Sequence, residues 1–312
     1  MASKVENKSS KVIVVVGGGI AGALVAKSLQ FHAHVVLIDP KEYFEITYAN
    51  LRAKVEPSFA ERSVVKHGDY FTKGRMVIAY ATGVTDTEVL TSDGEHIPYD
   101  YLVVATGANE NTYPISRNKR LEQYKEHYAK IKSADSVLVI GGGSTGVELA
   151  GEIAVDFPEK KLTLVHKYTR LLDSLDRKHL ARLWNVDLES HQKGDKTYKT
   201  SGGETIMADC HFYCAGIPWG MSWLKDSVLR DAVNDGGRVM VDKHLRIKDR
   251  KNAFAIGDIT DVPEIKQGLN AIQHANVAVK LLMHRGNENK MATYEASPDM
   301  AVVSLGRKDA VM

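Results

Sequence analysis

Apolar residues gather into short, β-branched runs divided by glycine turns and polar stretches. Residues 12–16 read Val-Ile-Val-Val-Val and end at Gly17-Gly18-Gly19-Ile20-Ala21-Gly22, while residues 137–140 read Val-Leu-Val-Ile and end at Gly141-Gly142-Gly143-Ser144-Thr145-Gly146. Such runs predict strands covered on both faces, as in a parallel sheet, each leading through a tight turn into a helix. A second apolar run follows each helix, at 34–38 and at 162–165. Polar hairpins around Asp93-Gly94 and Gly202-Gly203 then lead into final apolar strands that stop at Gly107 and Gly216.

The two halves repeat. Thr91-Ser92-Asp93-Gly94-Glu95, Ile97, Asp100 and Gly107 align without a gap on Thr200-Ser201-Gly202-Gly203-Glu204, Ile206, Asp209 and Gly216. A pattern that recurs in this way marks a duplicated structural unit. The fold class is therefore α/β: two Rossmann-like dinucleotide-binding domains, each with a parallel sheet plus a β-hairpin or meander.

A strand that runs into a glycine turn and a helix start leaves backbone N–H groups free to bind a diphosphate, and glycine lets the backbone approach it closely. One such loop can arise from packing needs alone. Two in register predict two dinucleotide sites, with Gly17, Gly18, Gly19, Ala21 and Gly22 at the first and Gly141, Gly143 and Gly146 at the second. Asp39 ends the run at 34–38, about twenty residues beyond Gly17, where a carboxylate accepts from ribose hydroxyls and repels a 2′-phosphate. The first site thus suits FAD or NAD. At the matching place in the second half stands His166-Lys167-Tyr168-Thr169-Arg170, with cationic groups and no acid. His166, Lys167 and Arg170 suit a 2′-phosphate, so NADPH or NADH is the expected partner there; a solvated basic turn is the alternative. A third segment, Ala255-Ile256-Gly257-Asp258, is a strand that stops at Gly-Asp. Asp261 and Glu264 after it form a candidate capping box for a helix that starts near Pro263.

Composition narrows the classes. With 312 residues and 44% hydrophobic content, the chain can bury cores of domain size. Its net charge of +2 lacks the basic bias of a nucleic-acid binder, and no metal-ligand cluster is apparent. Residues 1–10 read as a polar tail, neither a secretory signal nor an anchor, and Ala2 removes a myristoylation signal. No apolar run reaches membrane-spanning length. Cys210 and Cys214 are the only cysteines and read as free buried thiols, which suits a reducing, cytoplasmic setting.

The ordered set Gly17-x-Gly19-x-x-Gly22, Asp39, Ala105-Thr106-Gly107, Gly141-x-Gly143-x-x-Gly146, Cys214-Ala215-Gly216-Ile217-Pro218 and Ala255-Ile256-Gly257-Asp258 resembles the two-dinucleotide-domain flavoprotein reductases. Within them, residues 50–56 and 143–152 look like the apoptosis-inducing-factor-like, ferroptosis-suppressor type of FAD-dependent NAD(P)H:quinone oxidoreductase, in a shortened, plant-type form. The resemblance implies FAD in a discontinuous first domain, residues 11–111 and 243–312, and NAD(P)H in an inserted domain, 112–242. It implies FAD contacts for Arg52, the Met76-Val77 strand, Thr106 and Gly107. Asp258, beside Gly257, would accept from a ribityl hydroxyl, and Gly216 would border the second nucleotide.

Disulfide reductases of this superfamily carry a cysteine pair beside the flavin, whereas residues 43–65 contain none, so electrons must leave the flavin directly for a docked acceptor. Hydride transfer belongs to the cofactors, and no catalytic triad is expected. Two residues are assigned to tuning it: Lys266, with the nearby helix start, facing reduced flavin, and Glu152 facing the nicotinamide and flavin edge. Trp219 and Trp223 read as packing residues or as the rim of an acceptor site, and His274 as a satisfied half-buried side chain. Relative to the family, the sequence reads as lacking a strand near 185–195 and a C-terminal segment that covers the flavin and touches membrane, while 176–184 reads as a helix. The function so read is hydride transfer from NAD(P)H to FAD and on to a quinone or similar small acceptor, with peripheral membrane contact allowed. A monodehydroascorbate- or ferredoxin-type reductase and a catalytically impaired flavin-holding protein are the alternatives.

Overall fold

The β-branched run after the polar tail forms β1 (Val12–Val16), and the glycine loop delivers α1 (Ile20–Leu29) and then β2 (His34–Ile38). The computed structural model describes residues 11–108, 116–168, 170–172, 188–189, 197–200, 202–215, 222–283, 291–296 and 301–311. Two units emerge: Met1–Glu45, Val65–Arg117 and Pro218–Ser297 make the first, and Ile46–Val64, Asn118–Ile217 and Pro298–Met312 the second. This division departs from the boundaries drawn on the sequence. Residues 46–64 and 298–312 join the second unit, and 218–242 the first.

The first unit contains β3 (Tyr43–Glu45), β4 (Val64–Lys66, from its second residue), β5 (Arg75–Val77), β6 (Ala81–Val84), β7 (Glu88–Thr91), β8 (His96–Pro98) and β9 (Tyr101–Val104). Strands β16 (Ala253–Ala255), β9, β1, β2 and β5 form its parallel sheet in that order. The period of two along β1 divides the core. Ile13 and Val15 pack with Val25 and Leu29 of α1 and Ala275 and Leu282 of α7 (Gly268–Met283), while Val14 and Val16 pack with Val84, Val89 and Ile97 of the β6-β7-β8 meander. Both faces being covered is why these strands carry almost no polar residue.

The second unit contains α2 (Asn50–Val55), α3 (Pro57–Ser63), α4 (Arg117–Ser133, all but its first residue), β10 (Ser136–Ile140), α5 (Ser144–Asp156) and β11 (Lys161–Val165). After these come β12 (Leu188–Glu189), β13 (Thr197–Thr200), β14 (Thr205–Met207), β15 (Cys210–Tyr213), β17 (Val303–Leu305) and β18 (Asp309–Val311); α6 (Ser222–Lys225) lies in the first unit.

The duplication holds at the level of single bonds. Thr91 N–H donates to Glu95 O at 3.1 Å and Gly94 N–H to Thr91 O at 3.0 Å, as Thr200 N–H donates to Glu204 O and Gly203 N–H to Thr200 O, each at 2.9 Å. Asp100 accepts from Val12 N–H at 2.8 Å, and its counterpart Asp209 accepts from Ser136 N–H at 2.9 Å. The same carboxylate therefore ties the final strand of each unit to the start of its glycine-loop strand.

The halves also differ. The parallel sheet of the second unit has three strands among the described residues, in the order β11-β10-β15, so β11 lacks the outer neighbour that β5 gives β2. Its three middle residues are accordingly half-buried where those of β2 are buried. Near the expected gap the two-residue β12 pairs antiparallel with β13, and so extends the hairpin sheet rather than the parallel one. The expected helix at 176–184 and the tail 1–10 lie outside the described residues.

The C-terminal residues form a hairpin on α5. A Cβ at Gly151 would stand 2.7 Å from Gly306 N, so glycine is what lets the hairpin backbone lie against the helix. Ser304 N–H donates to Glu148 Oε1 at 3.2 Å, and Arg307 grips Asp156 with two nitrogens at 2.7 and 2.9 Å.

Candidate dinucleotide sites

At the first loop, Gly17 adopts a φ of +102°, and a Cβ there would overlap the Ala105 carbonyl. Gly22 is held by packing, because its Cβ would stand 1.9 Å from Gly17 O. Gly19 is different, since a Cβ there would meet nothing within 4 Å. Helix α1 starts at Gly19 with no side-chain cap and no acid in its first turn. Its first N–H groups therefore have no side-chain cap among the described residues, the arrangement that receives a diphosphate. Ala21 is buried at the base of the loop.

Asp39 is 2% exposed and braces this loop: Oδ2 accepts from Gly18 N–H at 2.5 Å and Oδ1 from Lys41 N–H at 2.7 Å. Met76 and Val77 lie on β5, where Val77 O accepts from Asp39 N–H at 3.1 Å. Sequence reasoning missed His67. Its ring lies where a Gly18 Cβ would be, 2.5 Å from Cε1, and Nδ1 pairs with Tyr70 Oη at 2.5 Å. Burial pulls the His67 pKa from 6.5 to about 4, against the pull of Asp39. Nothing in its local sequence marks it; only the fold brings it beneath the loop.

Several polar groups of this unit await partners. Among the described residues, Thr106 Oγ1, His67 Nε2 and Asn270 Oδ1 are buried without a hydrogen bond, and Gly107 holds a φ of +71° with open space beside it. Burial raises the Asp258 pKa and lowers that of Lys266. Orphaned groups around an uncapped helix start fit a large polar cofactor such as FAD.

The helix after Asp258 starts at Gly268, not near Pro263, and the Asp261/Glu264 capping box does not form. Asp261 instead accepts from Val241 N–H at 3.1 Å. Glu264 turns inward, with Oε1 3.0 Å from His274 Nε2 and Oε2 accepting from Tyr294 Oη at 2.5 Å. Lys266 Nζ donates to Val262 O at 2.8 Å. His274 is fully rather than half-buried, at 1% exposure, and its Nδ1 accepts from Gly257 N–H at 3.0 Å, holding the Gly-Asp turn. These inward contacts yield more burial and pairing than an N-cap would, which is why the local capping signal lost.

The second loop repeats the first. Gly141 has a φ of +115°, a Gly146 Cβ would stand 1.7 Å from Gly141 O, and a Gly143 Cβ would meet nothing within 4 Å. Helix α5 starts there with no side-chain cap and no acid in its first turn. Gly142 N–H donates to His166 Nδ1 at 3.0 Å, the bond Gly18 makes to Asp39 in the first unit. The Lys167 ammonium lies over the Tyr168 ring, 5.2 Å from its centroid, and Arg170 is exposed. Gly216 and Trp219 lie outside the described residues, while Trp223 packs against the first unit's core.

Arg52 and Glu152 meet within the second unit. Nε and Nη2 of Arg52 lie 2.5 and 2.8 Å from Oε2 and Oε1 of Glu152, a two-point ion pair with the carboxylate buried at 4% exposure. Arg52, expected beside FAD, thus holds a carboxylate that was expected at the nicotinamide and flavin edge. Glu148, one helical turn earlier, was not singled out from the sequence, and burial raises its pKa.

Two paired loops, each with a braced glycine and an uncapped helix start, define a protein built to hold two dinucleotides. The sequence pattern of the pyridine nucleotide-disulphide oxidoreductases matches residues 11–280, and the chain belongs to that family. It is 30% identical to "Ferroptosis suppressor protein 1" of Taeniopygia guttata, covering 100% of this chain and 90% of that protein. It is 29% identical to "Apoptosis-inducing factor homolog A" of Dictyostelium discoideum, covering 96% and 84%. Among solved structures, NDH2 from Plasmodium falciparum in complex with NADH superposes with a TM-score of 0.73 at 14% identity, over 96% of this chain and 89% of that one. The chain is accordingly an oxidoreductase of the pyridine nucleotide-disulphide family.

Proposed function

We propose that the protein oxidises NAD(P)H through FAD and delivers the electrons directly to a quinone or similar small acceptor. Bound FAD supplies a two-electron carrier that takes hydride from a reduced nicotinamide and gives electrons up again. The uncapped start of α1 would hold the FAD diphosphate, Asp39 the adenosine ribose, and Thr106 and Asp258 the polar groups nearer the flavin. The uncapped start of α5 would hold the nicotinamide dinucleotide.

One observation separates this reading from a thiol-relay reductase. Cys210 and Cys214 are the only cysteines, both lie in the second unit, and burial raises the pKa of each thiol. Residues 43–65, where a thiol-relay reductase would carry its cysteine pair, contain no cysteine, and on this reading reducing equivalents leave from the flavin itself. No helix among the described residues is long and apolar enough to cross a membrane, so a lipophilic acceptor would be met at a surface. The free thiols favour a reducing, cytoplasmic setting.

The visible spectrum tests the core of the proposal. The purified protein should be yellow, bleach anaerobically on addition of NADPH or NADH, and recover its colour with a soluble quinone. A flavin that stays oxidised with both nucleotides would establish the flavin-holding, non-catalytic reading instead.

A further inference from the structure

The C-terminal hairpin that lies on α5 reaches the second glycine loop through one side chain. Val303, at 1% exposure, is the hairpin's one buried side chain among the described residues, and it shares a cluster with Val147 of α5 and with Leu171 and Leu172, which follow β11. Two members of that cluster grip the loop with their backbone. Leu172 N–H donates to Gly142 O at 2.8 Å, and Val147 N–H donates to Gly143 O at 3.0 Å.

In a planar trans peptide the C=O and the N–H of the next residue point in opposite directions. Holding the Gly142 carbonyl therefore aims Gly143 N–H, and holding the Gly143 carbonyl aims Ser144 N–H; these are the amides at the uncapped start of α5. The Leu172 bond is made under strain. Leu172 sits at a φ of +52°, in the left-handed region that a leucine seldom adopts, so its surroundings must hold it there. A leucine left free relaxes toward negative φ, and its N–H swings away from Gly142.

The first unit lacks this arrangement. It repeats the Val147 bond, as Ala23 N–H to Gly19 O at 2.9 Å, but no backbone N–H among the described residues donates to Gly18 O. The hairpin's hold on α5 is long: Ser304 meets Glu148, Gly306 lies against Gly151, and Arg307 grips Asp156. It is thus anchored along about two turns of the helix whose start it braces.

We propose that this hairpin is the strap that sets the second glycine loop for its dinucleotide, on the reading that α5 receives one, and that Val303 is a positioning residue. Val303 keeps Leu172 left-handed, and Leu172 keeps the Gly143 amide aimed at the diphosphate.

Calorimetric titration of the flavin-loaded protein with NADP⁺ and with NAD⁺ tests this. Val303→Ala should weaken binding of the nucleotide by about fivefold or more, with flavin content unchanged. Leu172→Gly removes the strain, since glycine takes positive φ freely, so adding Val303→Ala to it should cost less than about a further twofold. Unchanged affinity in Val303→Ala, or the same loss when Val303→Ala is added to Leu172→Gly, would overturn the strap and leave the function standing. Loss of flavin together with the nucleotide in Val303→Ala would mean general unfolding, and would overturn it as well. A parent that retains FAD but binds neither nucleotide would overturn the second nucleotide site itself, and the strap with it.

Discussion

The Arg52 guanidinium holds the buried Glu152 carboxylate at two points, 2.5 and 2.8 Å, joining α2 to α5 across one hundred residues of sequence. Arg52 Nη2 also lies 3.5 Å from the Gly306 carbonyl, so α2, α5 and the C-terminal hairpin converge on this one side chain. Removing one partner of such a pair strands a buried charge, at a cost of about 3 kcal/mol. Arg52→Met should lower unfolding stability by that order, and Arg52→Met combined with Glu152→Leu should recover most of it. Denaturant titration of the two variants checks this; equal losses in both would show that the pair is not the source.

The glycines of the second loop separate folding from binding. Gly146→Ala would drive a methyl group into the Gly141 carbonyl, and should leave a poorly folded second unit. Gly143→Ala meets open space at an ordinary φ of −75°, and should fold with a melting temperature near that of the parent. It should nevertheless bind NADP⁺ at least about tenfold more weakly, since the methyl group stands where a phosphate would approach. Circular dichroism and calorimetry on both variants decide the point.

Asp39 uses both oxygens, one for Gly18 N–H and one for Lys41 N–H. Asp39→Asn keeps the shape but turns an NH₂ toward one of those donors, leaving a buried N–H unpaired at about 1–3 kcal/mol. FAD retention should weaken by about ten- to hundredfold. Flavin content after exhaustive dialysis measures it, and full retention would remove Asp39 from the cofactor site.

Acid should destabilise the fold through three histidines. Burial holds His67, His127 and His274 near pKa 4, below the ordinary 6.5, so the unfolded chain binds more protons than the folded one between those values. Their contribution is fully present above about pH 6.5 and falls as pH drops toward 4, with a slope of up to about 1.4 kcal/mol per pH unit for each. His274→Asn, which preserves an acceptor for Gly257 N–H, should flatten the profile. Chemical denaturation at several pH values between 7 and 4 checks the slope, and an identical slope in the variant would exclude His274 as a source.

Much was legible along the chain because it depends on near neighbours. Buried β-branched runs, the spacing of glycines and the hairpin signals are local, and the duplication let one half vouch for the other; Asp39 and His166 pair by position along the chain alone. Capping was the local signal that misled, since Asp261 and Glu264 satisfy the pattern yet found distant partners in Val241, His274 and Tyr294.

The chain's own order of residues determined the two glycine loops, the acid at one ribose position and its replacement at the other, and the lack of a flavin-side dithiol. Only tertiary structure decided that Arg52 belongs to Glu152, that His67 lies beneath Gly18, and that the last residues form a hairpin on α5. These pairings join residues far apart in sequence, and they are selected by burial: a charge or polar atom removed from water takes whatever partner the packed elements bring within reach, and no local pattern records which one that will be.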